Sequence, residues 1–312
     1  MITRQSTNTI LMIRPVNFRM NEQTAVNNYF QEDIKEKNIS INSKAQEEFD
    51  AFVTVLRERG VNVIVMEDTP EPDTPDSIFP NNWISFHEDG TIGIYPMFAE
   101  NRRKERREDV LTVLEEAGFA INNVMDYTSA EDEGFFLEAT GSMVLDRVKK
   151  KAYCALSDRA DEGLFIEFCE DFDYAPVIFT ANQSVDGKRM AIYHTNVMMC
   201  LADRFVVICL DAIDDAKEKK AVVGHLKHDG KEIIPISEEQ MHHFAGNMLQ
   251  VMTKENEPSM VMSSQAYDSL NRDQIASIEK YGDIIHSSLK TIETCGGGSA
   301  RCMMAEVYLP LA

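Results

Sequence analysis

The chain has 312 residues, with 31 Lys and Arg against 52 Asp and Glu, a formal net charge of −21. That balance argues against broad contact with phosphate backbones and against a polybasic membrane anchor, since both need a cationic footprint. At 44% hydrophobic residues the chain can bury a real core. Its six cysteines are too sparse for a disulfide scaffold and include no CxxC pair of the kind structural zinc uses.

The start of the chain holds one short apolar run, Ile10 to Ile13, without a long hydrophobic leader or a small-residue cleavage site. No stretch of about 18 apolar residues occurs. These features predict a soluble, cytoplasmic protein of a reducing compartment, with no membrane or nucleic-acid partner.

In chain order, residues 43–60 read as an amphipathic helix ending at Gly60, followed by an apolar strand over 61–66. Residues 101–118 repeat the pattern, ending at Gly118 before a strand over 119–124. Residues 159–176 do so again, turning near Asp173 before 177–181. The fourth copy spans 215–230 with a strand over 231–236, and the fifth spans 267–282 with a strand over 283–288. The helix ends recur every 52 to 58 residues. Between helices lie paired apolar runs split by polar or Gly-containing turns, as in 81–87 with 91–98, 139–146 with 149–157, and 195–202 with 204–211. The pattern predicts five copies of one strand–hairpin–helix module in a single α/β domain over residues 1–312. A closed ring of such modules would converge side chains from several copies on a central channel.

Several residues could carry chemistry there. The segment Cys295 to Cys302, CGGGSARC, has three consecutive glycines that let backbone approach a ligand and take positive φ. Cys302 after that loop suits an activated nucleophile, and it equally suits a buried Cys in a terminal strand. His194, in AIYHTNVMMC, fits a general acid/base or a satisfied core histidine. Glu138, in FFLEATGSMVLD, needs a cationic or donor partner if buried, and His194 is a candidate. Asn81 and Asn82, in PDSIFPNNW, fit amide recognition of a planar polar ligand or a simple turn. Arg102, Arg103 and Arg159 stand at predicted helix starts, where Arg binds carboxylates or lies solvated. His225, His228, His242 and His243 read as solvated. Nothing assigns a role to Cys295.

The order PDSIFPNNW, LEATGSMVLD, LSDRAD, YHTN and GGGSARCM resembles the pentein superfamily over nearly the whole chain. That superfamily contains arginine deiminases, dimethylarginine hydrolases, agmatine and peptidyl-arginine deiminases, and amidinotransferases. The resemblance implies a five-module pseudosymmetric α/β propeller and an enzyme without metal or organic cofactor. It makes Cys302 the nucleophile, His194 the general acid/base and Glu138 the carboxylate that orients it. Asp76 and Arg159 match positions that contact the amino-acid part of the substrate. Arg102 and Arg103 match a helix-start Arg motif, which leaves open which of them points inward.

Two departures set this chain apart. Deiminases usually carry Asp two residues after the catalytic His and another shortly after the PD-x-x-F motif; here those positions hold Asn196 and Asn82. A desolvated guanidinium facing two neutral amides lacks its counter-charges, whereas a neutral ureido group needs none. The reading is therefore a small-molecule hydrolase of the citrulline-utilisation, arginine deiminase-related branch, turning citrulline into ornithine, carbon dioxide and ammonia through a covalent Cys adduct. The alternatives are an arginine or methylarginine deiminase or amidinotransferase, and a non-catalytic binder of the same architecture. A homo-oligomer is compatible with this reading.

Overall fold

The structure is a computed structural model that describes residues 4–35 and 37–312. Five three-stranded sheets share one topology: a middle strand pairs antiparallel on one side and parallel on the other. In the first sheet Thr9–Arg14 is the middle strand, with Asn62–Glu67 parallel and Ala305–Glu306 antiparallel. The second sheet comprises Ile84–Phe86, Thr91–Ile94 and Asn123–Asp126. The third comprises Met143–Asp146, Lys151–Ala155 and Ala175–Phe179. The fourth holds Met199–Leu201, Phe205–Ile208 and Glu232–Pro235, and the fifth Leu249–Met252, Pro258–Ser263 and Asp283–Ser287. The predicted module repeat is present as these five sheets. They are separate sheets, and no barrel closes among the described residues. A further hairpin, Asn182–Val185 with Lys188–Ala191, stands outside the repeat.

Each parallel strand follows a helix, because a parallel crossover needs an element long enough to bring the chain back. The first helix, Asn38–Glu58, buries Ile41, Ala45, Phe49, Phe52, Val53 and Leu56 along one face. Gly60, Gly118 and Gly230 end their helices at φ of 82°, 88° and 78°. The residue after each glycine bonds back to a carbonyl five residues earlier, as in Val61 N–H to Leu56 O at 3.0 Å. Asp173 takes the same left-handed role in the third module at φ 57°.

Two of the five predicted helices are interrupted. Residues 101–118 divide into a 3₁₀ turn, Arg102–Glu105, and a helix, Asp109–Glu116. The break lies where Arg106 becomes extended (ψ 100°) and turns its guanidinium onto Glu131. Residues 267–282 divide into Ser264–Ser269 and Arg272–Glu279 because Asn271 opens a new capping box with Gln274. A helix not predicted, Lys290–Gly296, leads into the glycine run.

The turn before the first strand of each hairpin is what positions the site. Pro80–Asn82 precedes Ile84–Phe86, Ala139–Ser142 precedes Met143–Asp146, and Thr195–Met198 precedes Met199–Leu201. Residues 244–248 precede Leu249–Met252, and the turn through Cys302 precedes Ala305–Glu306. Among the described residues no helix is long and apolar enough to cross a membrane.

Candidate active site

Each of those turns delivers polar side chains to one buried cluster. Glu138 is 0% exposed and sits immediately before Ala139–Ser142; His194 is 1% exposed and sits immediately before Thr195–Met198. Glu138 Oε2 accepts from His194 Nε2 at 2.7 Å, and Glu138 Oε1 accepts from the Phe98 N–H at 3.1 Å. Arg159 Nη1 lies 3.6 Å and Arg102 Nη1 4.0 Å from the same Glu138 Oε2. Burial opposes ionisation of Glu138, yet Arg159, the His194 hydrogen bond and Arg102 together hold its carboxyl down at about 2. Burial lowers His194 to about 4, helped by Arg159 and Arg102 and opposed by Glu138. The imidazole is therefore neutral. An ionised Glu138 only accepts, so Nε2 carries the proton and Nδ1 keeps a lone pair. That Nδ1 is buried without a partner among the described residues.

Cys302 is 3% exposed and lies within the last turn. Its Sγ accepts from Asn247 Nδ2 at 3.3 Å and lies 3.7 Å from Asn196 Nδ2. Burial raises the thiol, partly offset by the Asn247 hydrogen bond and the Ser299 backbone. The thiol is therefore protonated at neutral pH. Asn196 Nδ2 also donates to Thr140 O at 3.3 Å, which joins the Cys302 side of the cluster to the Glu138 turn.

Gly141 closes that join. A Cβ on it would lie within contact of Asn82 Nδ2 and 2.8 Å from His194 Cε1, so only glycine lets the amide and the imidazole flank this backbone. Gly141→Ala is expected to lower turnover about 100-fold by displacing His194 or Asn82, and to destabilise the fold by about 1–3 kcal/mol. Steady-state kinetics with a thermal melt checks it; wild-type turnover would mean the two side chains do not meet there.

Asp76 and Arg159 enter the cluster from the other side, where the segment 19–31 covers them. Asp76 Oδ2 accepts from Asn21 Nδ2 at 2.8 Å and Thr24 Oγ1 at 3.1 Å, while its Oδ1 has no partner among the described residues. Arg159 donates through Nε to Asn27 Oδ1 at 2.9 Å and through Nη2 to Thr24 O at 2.9 Å, and its guanidinium stacks 4.8 Å from the Tyr193 ring. Gln31 Nε2 ties the segment to Gly296 O at 3.0 Å.

Of the two arginines left open by the sequence, Arg102 faces inward at 2% exposure. Arg103 turns away: it donates to Met97 O at 3.0 Å, pairs with Glu131 at 3.5 Å and stays outside the cluster. Arg102 donates to Glu105 through Nε and Nη2, both at 2.9 Å, and through Nη1 to Asn82 Oδ1 at 2.8 Å. The glycine run also differs from expectation. Only Gly297 has positive φ, at 60°, whereas Gly296 and Gly298 are small because the Phe79 ring packs where a Cβ would stand. Cys302 lies in a turn, ahead of the terminal strand.

Sequence reasoning missed Asn247, Thr140, Gly141 and the segment 19–31. The repeat itself carried the signal for Asn247: HFAGNM precedes the fifth hairpin as GSARCM precedes the last strand, which puts Asn247 in register with Cys302. No three His, Cys, Asp or Glu side chains among the described residues converge as a metal site requires.

The fold is that of several solved enzymes. Apo ArgZ, an arginine dihydrolase from the ornithine–ammonia cycle in cyanobacteria, superposes with a TM-score of 0.73 at 17% identity, over 97% of this chain and 41% of that one. Unliganded AgrE gives 0.74 at 16% identity, over 97% and 40%. A histidine-to-glycine variant of dimethylarginine dimethylaminohydrolase, as its adduct with S-methyl-L-thiocitrulline, gives 0.62 at 16% identity, over 96% and 98%. This chain thus spans about two fifths of the ArgZ and AgrE chains. No curated protein matches it. The model of the eukaryotic N,N-dimethylarginine dimethylhydrolase family matches residues 14–309, and the chain belongs to that family, within the pentein superfamily.

Proposed function

We propose that this protein is a cysteine-dependent hydrolase of the ureido group of citrulline, with one catalytic domain over residues 1–312 whose five modules surround the site as a propeller. The observation that carries the reading is the pair of neutral amides, Asn82 and Asn196, set into the cluster of Glu138, His194 and Cys302. A guanidinium there would meet no carboxylate from either position. A ureido group is neutral, and amides both donate and accept.

In the proposed reaction His194 Nδ1 takes the Cys302 proton as the thiolate attacks the ureido carbon. The carbon–nitrogen bond to the ornithine side breaks, and the His194 proton passes to that leaving nitrogen. Water, deprotonated by His194, then hydrolyses the S-carbamoyl adduct. Carbamate is released and decomposes to ammonia and carbon dioxide, and the thiol regains its proton. Glu138 holds Nε2–H and so keeps Nδ1 aimed as the base. Asp76, with its unpartnered Oδ1, would take the substrate ammonium, and Arg159 the carboxylate, when the segment 19–31 yields its contacts.

The family match favours a second reading, hydrolysis of a methylarginine or arginine. Ammonia and ornithine release from citrulline, arginine and Nω-methylarginine, each given separately, distinguishes them. Turnover is expected with citrulline and not with the other two; turnover of either guanidino compound alone would sink the ureido reading.

A further inference from the structure

Asn82 and Asn196 are fixed with opposite polarity by their neighbours. Arg102 is a donor without any acceptor, so the Asn82 amide must turn Oδ1 to Arg102 Nη1, at 2.8 Å. Its Nδ2 is thereby directed away and, among the described residues, donates only to Asn81 Oδ1 at 3.1 Å, leaving one N–H for a ligand. That Nδ2 lies over Gly141, beside the ring of His194. Asn196 faces the reverse constraint. The Thr140 carbonyl only accepts, so it holds Asn196 Nδ2 at 3.3 Å, and both ends of the amide border the thiol, Nδ2 3.7 Å and the acceptor Oδ1 3.9 Å from Cys302 Sγ.

Four of the five Arg102 donors are held inside the protein, and the remaining Nη1 N–H faces Glu138 Oε2 at 4.0 Å. Nε and Nη2 hold Glu105, Nη2 also reaches Phe79 O at 3.2 Å and Asp76 O at 3.4 Å, and Nη1 holds Asn82. We infer that Arg102 is a positioning residue for specificity: it locks Asn82 as a donor opposite Asn196 as an acceptor, a one-donor, one-acceptor frame that fits a ureido group and mismatches a guanidinium. This rests on the ureido reading above and sharpens it. The ureido oxygen meets the Asn82 N–H, a ureido N–H meets Asn196 Oδ1, and the same Asn82 N–H polarises the carbonyl as Cys302 attacks. A guanidinium offers donors only, so one of its N–H groups would face the Asn82 N–H unpaired.

The test is the ratio of kcat/KM for citrulline to kcat/KM for arginine. The paired variant Arg102→Gln with Glu105→Gln removes the buried pair as a unit, so neither partner is left alone while Asn82 is freed to turn. The ratio is expected to fall about tenfold or more, with folding checked by circular dichroism. A merely structural role would lower both substrates in parallel, and a ratio within about twofold of wild type overturns the inference. If the paired variant fails to fold, Asn82→Asp, which keeps the Arg102 contact and removes the donor, is judged by the same criterion. Wild-type preference for arginine would sink the ureido reading and this inference together. Wild-type preference for citrulline with an unchanged variant ratio sinks the inference alone.

Discussion

Cys302→Ser is expected to lower turnover by at least about 10⁴-fold while shifting Tm by no more than about 2 °C. A serine hydroxyl is close in size to the thiol, and it can still accept from Asn247 and face Asn196, the two contacts Cys302 makes through sulfur. The loss therefore falls on the chemistry. Serine is a far weaker nucleophile at neutral pH than a thiolate, and His194, held neutral with its Nδ1 lone pair free, cannot make up the difference. Ammonia release under single-turnover conditions, with a melt on the same preparation, measures both. Wild-type turnover would remove Cys302 from the reaction. The other five cysteines are all buried, and burial pushes Cys154, Cys169, Cys200 and Cys209 up, so none of those four is a ready substitute.

Glu138→Gln is the second large effect, and it acts on stability as well as rate. Among the described residues, Glu138 is the one anion within 4.0 Å of both Arg102 and Arg159 and of His194. Removing its charge leaves two guanidinium groups buried beside a neutral amide, a loss of about 3–5 kcal/mol. The neutral amide also no longer forces the proton onto Nε2, so turnover is expected to fall about 10²–10⁴-fold.

The same pair sets an acid limit on stability. Glu138 has a folded value of about 2 against an ordinary 4.5, so its contribution is full above about pH 4.5 and is lost as pH falls toward 2. His194 has a folded value of about 4 against 6.5. Below pH 6.5 the unfolded chain binds a proton that the folded chain refuses, so stability falls from pH 6.5 toward 4. Each loss is on the order of 3 kcal/mol, shared across the pair because the two groups are hydrogen-bonded. Urea midpoints from pH 8 to pH 3 on wild type and Glu138→Gln isolate the effect. The variant is expected to lack the lower step, and two parallel curves would disprove the electrostatic account.

Much of this design is local enough to read along the chain. The five modules are visible because each helix has an apolar stripe and ends at a residue that tolerates positive φ, and each hairpin has its turn. Glu138 and His194 stand out because each opens the turn five residues before a strand, at the same point of the repeat, and Cys302 because it follows the glycine run just before the last strand. The 101–118 segment shows the limit. Its periodicity is helical throughout, but Arg102 is drawn inward by Glu105 and Asn82 and Arg106 outward by Glu131, which splits the helix. Helical periodicity reports which face is apolar; it does not report which charged side chain will find a buried partner.

The sequence by itself determined the α/β repeat, the residue types at the turns, and the replacement of two expected carboxylates by amides. Only the tertiary structure decided which arginine faces inward, that Asn247 holds the thiol, that the segment 19–31 covers Asp76 and Arg159, and which end of each amide meets the site. The reason is separation. Asn247 and Cys302 lie 55 residues apart and Arg159 and Asn27 lie 132 apart. The polarity of a buried amide is set by whichever donor or acceptor the fold brings against it across such distances, a fact that no local pattern encodes.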